Sequence, residues 1–564
     1  MAAKSRIARE MFDRYGKDTL ASAGFKAWFE DNADWLRPYA VFCYLRDLFG
    51  TAEHWRWGVL SDSTPEVIAR LTSPSQPQHS TLQFSYYLQY HLHSQLLSAV
   101  AHAGEKQVVL KGDVPIGVDK RSADTWMDPG LFRMDKSTGA PPDYFDPNGQ
   151  NWGFPTYNWE AMAVDNYQWW RRRLQHMSQY FSAYRIDHIL GFFRIWEIPG
   201  DCTTGRLGYF RPSVPVTRSE LESRGIWDVE RLTHPYIRWH MLTELFGKQA
   251  HEVAARYLEE TAAGSFRLRP QYSSEKAIAG ISVRADSPDW LLQETDKTRA
   301  GLLKLRQNVV MLQDPEDCDH FHPRFQLMAT SSFKELPQMW RDALAWLHDD
   351  YLFSRQEELW RQSALTKLPV LMQATDMLVC GEDLGFVPAC VPPVMHELGL
   401  IGLRIQRMAS EPGAEFNNPA NYPYLTIASP SCHDVTPVRA WYEEDAQRRD
   451  RFYYTMLLAP GDPPETCTPE VVRIIAQQHL SCPSVWAVFP MQDLMALSPL
   501  HNQRPPKEEI INDPTVTKHY WRYRMHVSVE ELAADAPWMA LIKLAADAPW
   551  VALIKDMLAD SGRL

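Results

Sequence analysis

The sequence predicts an α/β protein built on a parallel sheet, open or closed, with a large and mostly helical insertion. Three observations carry this expectation. Six short apolar runs occur, most of them ending in a polar or acidic cluster; helical periodicity follows several of them; and the strand rhythm stops in the middle of the chain.

In order, residues 1–106 read as mainly helical, with apolar positions recurring every three or four residues in Ile7 to Tyr15, Ala21 to Phe29, Trp35 to Leu48 and Ser85 to Ala103. Pro74 and Pro77 mark a loop between them. The first strand signal is Gln107 to Asp113, and the second is Tyr184-Arg185-Ile186-Asp187, preceded by a helical pattern from Trp159 to Tyr180. The others are Met377 to Asp383, Ile401 to Gln406, Tyr424 to Ser429 leading to His433-Asp434, and Ser484 to Phe489 leading to Gln492-Asp493. The detour from Asp187 to Glu382 far exceeds what one β-α-β step needs. It assigns 107–199 and 366–530 to the two parts of the sheet domain and 200–365 to an insertion, with helix patterns at Tyr236 to Tyr257, Leu302 to Leu312 and Met339 to Leu365. The tail, 531–564, duplicates itself: Leu532 to Lys543 returns as Leu544 to Lys555 with one change, too short an array for a solenoid.

Composition removes several function classes. The 564 residues are 45% hydrophobic and 23% charged, as in soluble globular chains with a sizeable core. A net charge of -12 argues against a nucleic-acid surface, so Arg171-Arg172-Arg173 reads as a solvated helix face. Eight scattered cysteines without a C-x-x-C pair predict reduced thiols and a cytoplasmic protein. Met1 to Leu20 lacks the apolar centre of a secretory signal, and no apolar run is long enough for a bilayer, so no membrane partner is expected. The aromatics, 21 Trp, 23 Tyr and 23 Phe, suit a core and equally suit stacking on the apolar faces of sugars.

Three acids fall at strand ends: Asp187, Glu382 and Asp434. Breaking a glycosidic bond with retention takes one ionised carboxylate as nucleophile and one protonated carboxyl as acid, about 5–5.5 Å apart. Arg185 lies on the same side of its strand as Asp187, where a guanidinium favours the ionised form. Each motif alone also fits a helix cap or a structural turn. Cys432-His433-Asp434 holds the letters of a thiol site, but neighbours in an extended chain point oppositely. Asp317, Cys318, Asp319, His320 and His322 lack a standard zinc spacing, and no Gly-rich phosphate loop is present.

Taken together, Tyr184 to Arg194, Cys380 to Pro388, Ser429 to Thr436, Gly112 to Val118 and Ser122 to Trp126 resemble glycoside hydrolase family 77, the 4-α-glucanotransferases or amylomaltases. Gly139 to Asp143, Gly149 to Pro155 and His519 to Arg524 extend the resemblance, and Leu207 to Ser213 with Asp314 to Asp317 is similar to the cytosolic plant-type subgroup. The resemblance implies a (β/α)8 TIM barrel, here lacking its first one or two strand-helix units and the starch-binding domains that precede the catalytic part in that subgroup. It implies Asp187 as nucleophile, Glu382 as acid/base and Asp434 as the third carboxylate. Arg185, His433, Asp113, Trp126, Gln150 and Trp152 are implied to contact the sugar, core packing or loop hydrogen bonds being an equal alternative for each of the last four. Donors would be maltose and malto-oligosaccharides and the acceptor a glucan or heteroglycan, with neither cofactor nor metal. The alternatives are an α-glucan hydrolase and an inert glycan-binding fragment.

Overall fold

The computed structural model describes residues 2–143, 146–410, 413–512, 521 and 523–540. The chain divides into two compact units, Met1–Leu378 with Pro388–Cys390, and Val379–Val387 with Val391–Leu564.

The first unit begins with the helices Ala2–Ala21, Ala23–Phe49, Pro65–Thr72 and His79–Glu105; the stretches read separately at Ala21 to Phe29 and Trp35 to Leu48 form one helix, and Pro65–Thr72 is not among those read from the sequence. Ser22 caps the second by accepting the Phe25 amide proton at 3.2 Å, and Gly50 ends it in the left-handed region, where a side chain would be strained. Their apolar faces close around Phe25, Trp28, Leu36, Phe42, Trp57 and Tyr86. The strands Lys111–Val114 and Ala183–Ile186 run parallel, with Asp113 opposite Arg185. A four-stranded antiparallel sheet follows in the order Gln150–Asn151, Lys136–Ala140, Ile195–Pro199, Tyr209–Arg211.

The segment 200–365 carries short strands beside its helices. They form two three-stranded antiparallel sheets, one of Ile237–Arg238, Ser265–Leu268 and Leu258–Ala262, the other of Met311–Gln313, His320–Pro323 and Val216–Thr217. Their strands are two to five residues long, too short for period-two alternation to stand out. The stretch read as helix from Leu302 to Leu312 stops at Arg306 and continues as the strand Met311–Gln313. Met339 to Leu365 is two helices, Gln338–Phe353 and Glu357–Met372.

In the second unit the strand begun at Leu378 runs to Gly381; Cys380 bridges in parallel to Ile401, and Gly402–Ile405, Thr426–Ser429 and Trp486–Ala487 continue a parallel ladder. The helices Val438–Glu444, Ala446–Phe452 and Pro469–Leu480 pack through Trp441, Tyr442, Phe452, Val471 and Ile475. All six strands read from the sequence are therefore present. The second copy of the tail repeat lies outside the described residues.

Candidate active site

Within the first unit, the parallel register sets up a charged cluster. Because Asp113 pairs with Arg185 and Asp187 lies two residues further on, all three side chains emerge on one face. Arg185 Nη1 donates to Asp113 Oδ1 at 2.9 Å and Oδ2 at 3.1 Å, and to Asp187 Oδ1 at 2.9 Å. Arg185 is 11% exposed while Asp187 keeps 33%, so the cation is sheltered and the carboxylate remains reachable. The Asp187 amide donates to Val114 O at 3.0 Å, which carries the ladder up to the acid itself.

The chain then turns sharply. His188 has φ 45°, the left-handed region that a histidine adopts at some cost, and the buried helix Leu190–Phe193 follows. Burial, reinforced by the charges of Arg194 and Arg185, pushes the His188 imidazole down to about 3, so it is neutral across the working range. Trp152 meets His188 edge to face at 5.1 Å, and its Nε1–H donates to Gln150 Oε1 at 2.8 Å. Gln150 is placed by Gly139, where any Cβ would lie 2.0 Å from Gln150 O; only glycine lets those strands approach. Asp113 and Arg185 are thus joined to Asp187, while Trp152, with Gln150, meets its neighbour His188. Trp126 is not available to a ligand. It is 1% exposed, packed against Phe42 and Trp57, with Nε1–H donated to Leu60 O at 3.1 Å. Its sugar-contacting role is withdrawn in favour of core packing, a distinction that a single Trp in sequence cannot reveal.

In the second unit, Glu382 follows the strand ending at Gly381 and is half-buried, its Oε1 accepting the Leu384 amide at 2.8 Å. Asp383 points into the fold, accepting from Leu403 N at 2.7 Å and Arg404 Nη1 at 2.8 Å. That pair of bonds ties the turn bearing Glu382 to the adjoining strand. Asp434 lies 3.1 Å from His433 Nε2 through Oδ2 and accepts from Asn512 Nδ2 at 3.0 Å through Oδ1. It retains 37% exposure, and the His433 ring centre is 5.5 Å from that of Trp521. Asn512 was not foreseen; 78 residues from Asp434, it gives no local cue. His519, Tyr520 and Arg522 of the late motif lie outside the described residues.

The possible metal ligands separate. His322 is held by Asp314 Oδ2 and Tyr351 Oη, each at 2.9 Å, while His320 Nδ1 lies 3.3 Å from Asp317 Oδ2 and Asp317, Cys318 and Asp319 form an exposed group. Asp493, in the short helix Met491–Met495 after the last strand, is buried and accepts from Val438 N at 2.9 Å and from the Ser431 hydroxyl, a packing role.

The 4-alpha-glucanotransferase family profile of glycoside hydrolase family 77 matches residues 1–529. The rice 4-alpha-glucanotransferase DPE2 is 51% identical over 543 residues, covering 96% of this chain and 57% of the rice protein, so the chain spans little more than half of that relative's length. The Chlamydia muridarum 4-alpha-glucanotransferase is 25% identical over 90% of this chain and 68% of its own length. In fold, the chain is similar to the amylomaltase from Streptococcus agalactiae solved in complex with acarbose, with TM-score 0.61, 16% identity, and coverage of 97% of this chain and 78% of that one. The similarity in sequence and in fold runs through both units, and the chain belongs to glycoside hydrolase family 77, the 4-alpha-glucanotransferases.

Proposed function

We propose that the chain is the catalytic part of a retaining 4-α-glucanotransferase that moves glucosyl or glucan units from maltose or malto-oligosaccharides to a glucan or heteroglycan acceptor. The observation that carries this reading is the Arg185 guanidinium shared by Asp113 and Asp187 at a strand end, in a family 77 chain. Asp187, kept ionised by that cation, attacks the anomeric carbon while Glu382 protonates the departing glycosidic oxygen. A β-linked glucosyl-enzyme forms and the shortened glucan leaves. Glu382, now a carboxylate, takes the proton of an acceptor hydroxyl, whose oxygen displaces Asp187 and restores the α-linkage. Two inversions give net retention.

Asp434, held by His433 and Asn512, is assigned to sugar hydroxyls on the side of the ring being distorted. Trp152 and Gln150 line the donor position, the indole supplying an apolar face. The six parallel strands are assigned to a (β/α)8 barrel, and eight scattered cysteines without a C-x-x-C pair suit a reducing, cytoplasmic setting. No helix among the described residues is long and apolar enough to cross a membrane.

Incubation with maltose alone, followed by separation of the products, tests the reading. Maltotriose and longer chains with glucose are expected, and none from Asp187→Asn. Glucose alone would identify a hydrolase. Equal, negligible turnover by the parent and the variant would identify a glycan-binding fragment.

A further inference from the structure

The insertion carries a hollow that the reaction does not use. The helices Trp239–Phe246 and Ala250–Tyr257, with the hairpin of Leu258–Ala262 and Ser265–Leu268, border a depression of about 530 Å³ that is open to solvent. Ligand sites typically occupy about 300–1,000 Å³, so this one has room for a small saccharide. Trp239, His251, Ala255, Leu258, Glu260 and Phe266 line it. The indole of Trp239 lies 4.5 Å from the His251 ring and 5.9 Å from Phe266, tilted by 49° and 40°, so the three rings make one continuous aromatic wall.

The floor is firm. Leu258 is buried in a packed cluster with Met241, Leu242, Phe246, Val253 and Leu268, which fixes both helices and the hairpin against one another. The rim is polar. Glu260 is exposed and its Oε1 accepts the Gly264 amide at 2.9 Å, which steadies the carboxylate at the mouth. Gly264 turns the hairpin with φ 72°, and nothing lies within 4 Å of where its Cβ would be, so the entrance is clear.

This lining selects its ligand by chemistry. Aromatic faces beside a carboxylate and an imidazole suit a molecule with apolar C–H faces and a rim of hydroxyls. No lysine or arginine lines the space and its formal charge is the carboxylate of Glu260, which disfavours phosphates and nucleotides. We propose that the hollow binds a segment of α-glucan chain and anchors a polymeric acceptor to the enzyme through residues that have no catalytic part. The proposal rests on the glucan-transferase reading for the identity of the sugar, while the wall, floor and rim stand without it.

Electrophoresis of the 564-residue chain through gels containing glycogen tests the site, with disproportionation of maltose assayed in parallel. Two variants are used. Ala255→Trp fills the hollow from an exposed helical position, and His251→Ala removes an exposed ring from the wall. The parent is expected to be retarded by glycogen, both variants about fivefold less, as the loss of roughly 1 kcal/mol of ring contact implies. Turnover of maltose alone should be unchanged, and transfer from maltose to glycogen reduced. Parent-strength retardation of both variants, or no retardation of the parent, overturns the proposal. Asp187→Asn should keep the retardation while losing turnover. A failed transferase reading would therefore appear as absent turnover with the hollow-dependent retardation intact.

Discussion

Arg185 holds two carboxylates with a single nitrogen, Nη1, so it orders the Asp187 side chain and offsets its charge together. Arg185→Met should leave Asp187 beside Asp113 without the cation. Turnover of maltose is expected to fall by roughly 10²–10³-fold, the loss typical when one preorganised electrostatic partner is removed. Near-normal steady-state turnover would show that the pairing has no part in the reaction. A second carboxylate, Asp314, is structural. The hydrogen bond from His322 holds the Asp314 carboxyl down to about 2, from an ordinary 3.8. A depressed carboxyl contributes stability above its unfolded value and loses it as pH falls through the folded one. Asp314→Asn should therefore cost about 2 kcal/mol near neutrality, with the deficit against the parent closing between pH 4 and pH 2 in urea titrations. A pH-independent deficit would refute the assignment. At this scale the sequence was informative where spacing sets direction. Arg185 and Asp187, two apart on a strand, had to share a face. It was silent on Trp126 and Asn512, whose surroundings are set by residues 66 and 78 positions away.

The helix Leu190–Phe193 is the element that turns the chain after Asp187, and a buried lysine secures it. Lys367 Nζ donates to Phe192 O and to Ser363 Oγ, both at 2.6 Å, and burial draws its ammonium down to about 7. Lys367→Met keeps the length but removes the nearer donor, leaving the Phe192 carbonyl only the longer bond from the Ser363 hydroxyl at 3.3 Å. A loss of about 1–3 kcal/mol is expected in chemical unfolding. Stability equal to the parent's would show that the helix is held by packing alone. In the second unit, the strand Gly402–Ile405 makes a comparable demand. At Gly402 a Cβ would lie 2.9 and 3.1 Å from the Asp383 carboxylate oxygens, which are themselves fixed by Leu403 N and Arg404. Gly402→Ala should destabilise by about 1–3 kcal/mol, measured as a lower urea midpoint at unchanged slope. The central strands were legible because apolar, β-branched runs of four or more residues end in charge. The insertion's strands were not, since two- to five-residue segments paired across long gaps carry no readable period.

The chain stands on two compact units, and no disulfide is found among the described residues. Thermal unfolding should therefore give the same Tm with and without a thiol reductant. A lower Tm under reduction would reveal a disulfide. Most of the fold class was readable from the alternation of strands and helices, because that alternation follows from a parallel sheet needing crossovers. The grouping into units was not, since it depends on which segments touch. The turn at Asp383 and the bare backbone of Gly402 bear on the history of the chain as much as on its stability. In related sequences a larger residue at 402 is expected only alongside a shorter or uncharged one at 383, so the two sites should drift as a couple, with the change at 383 coming first in descent.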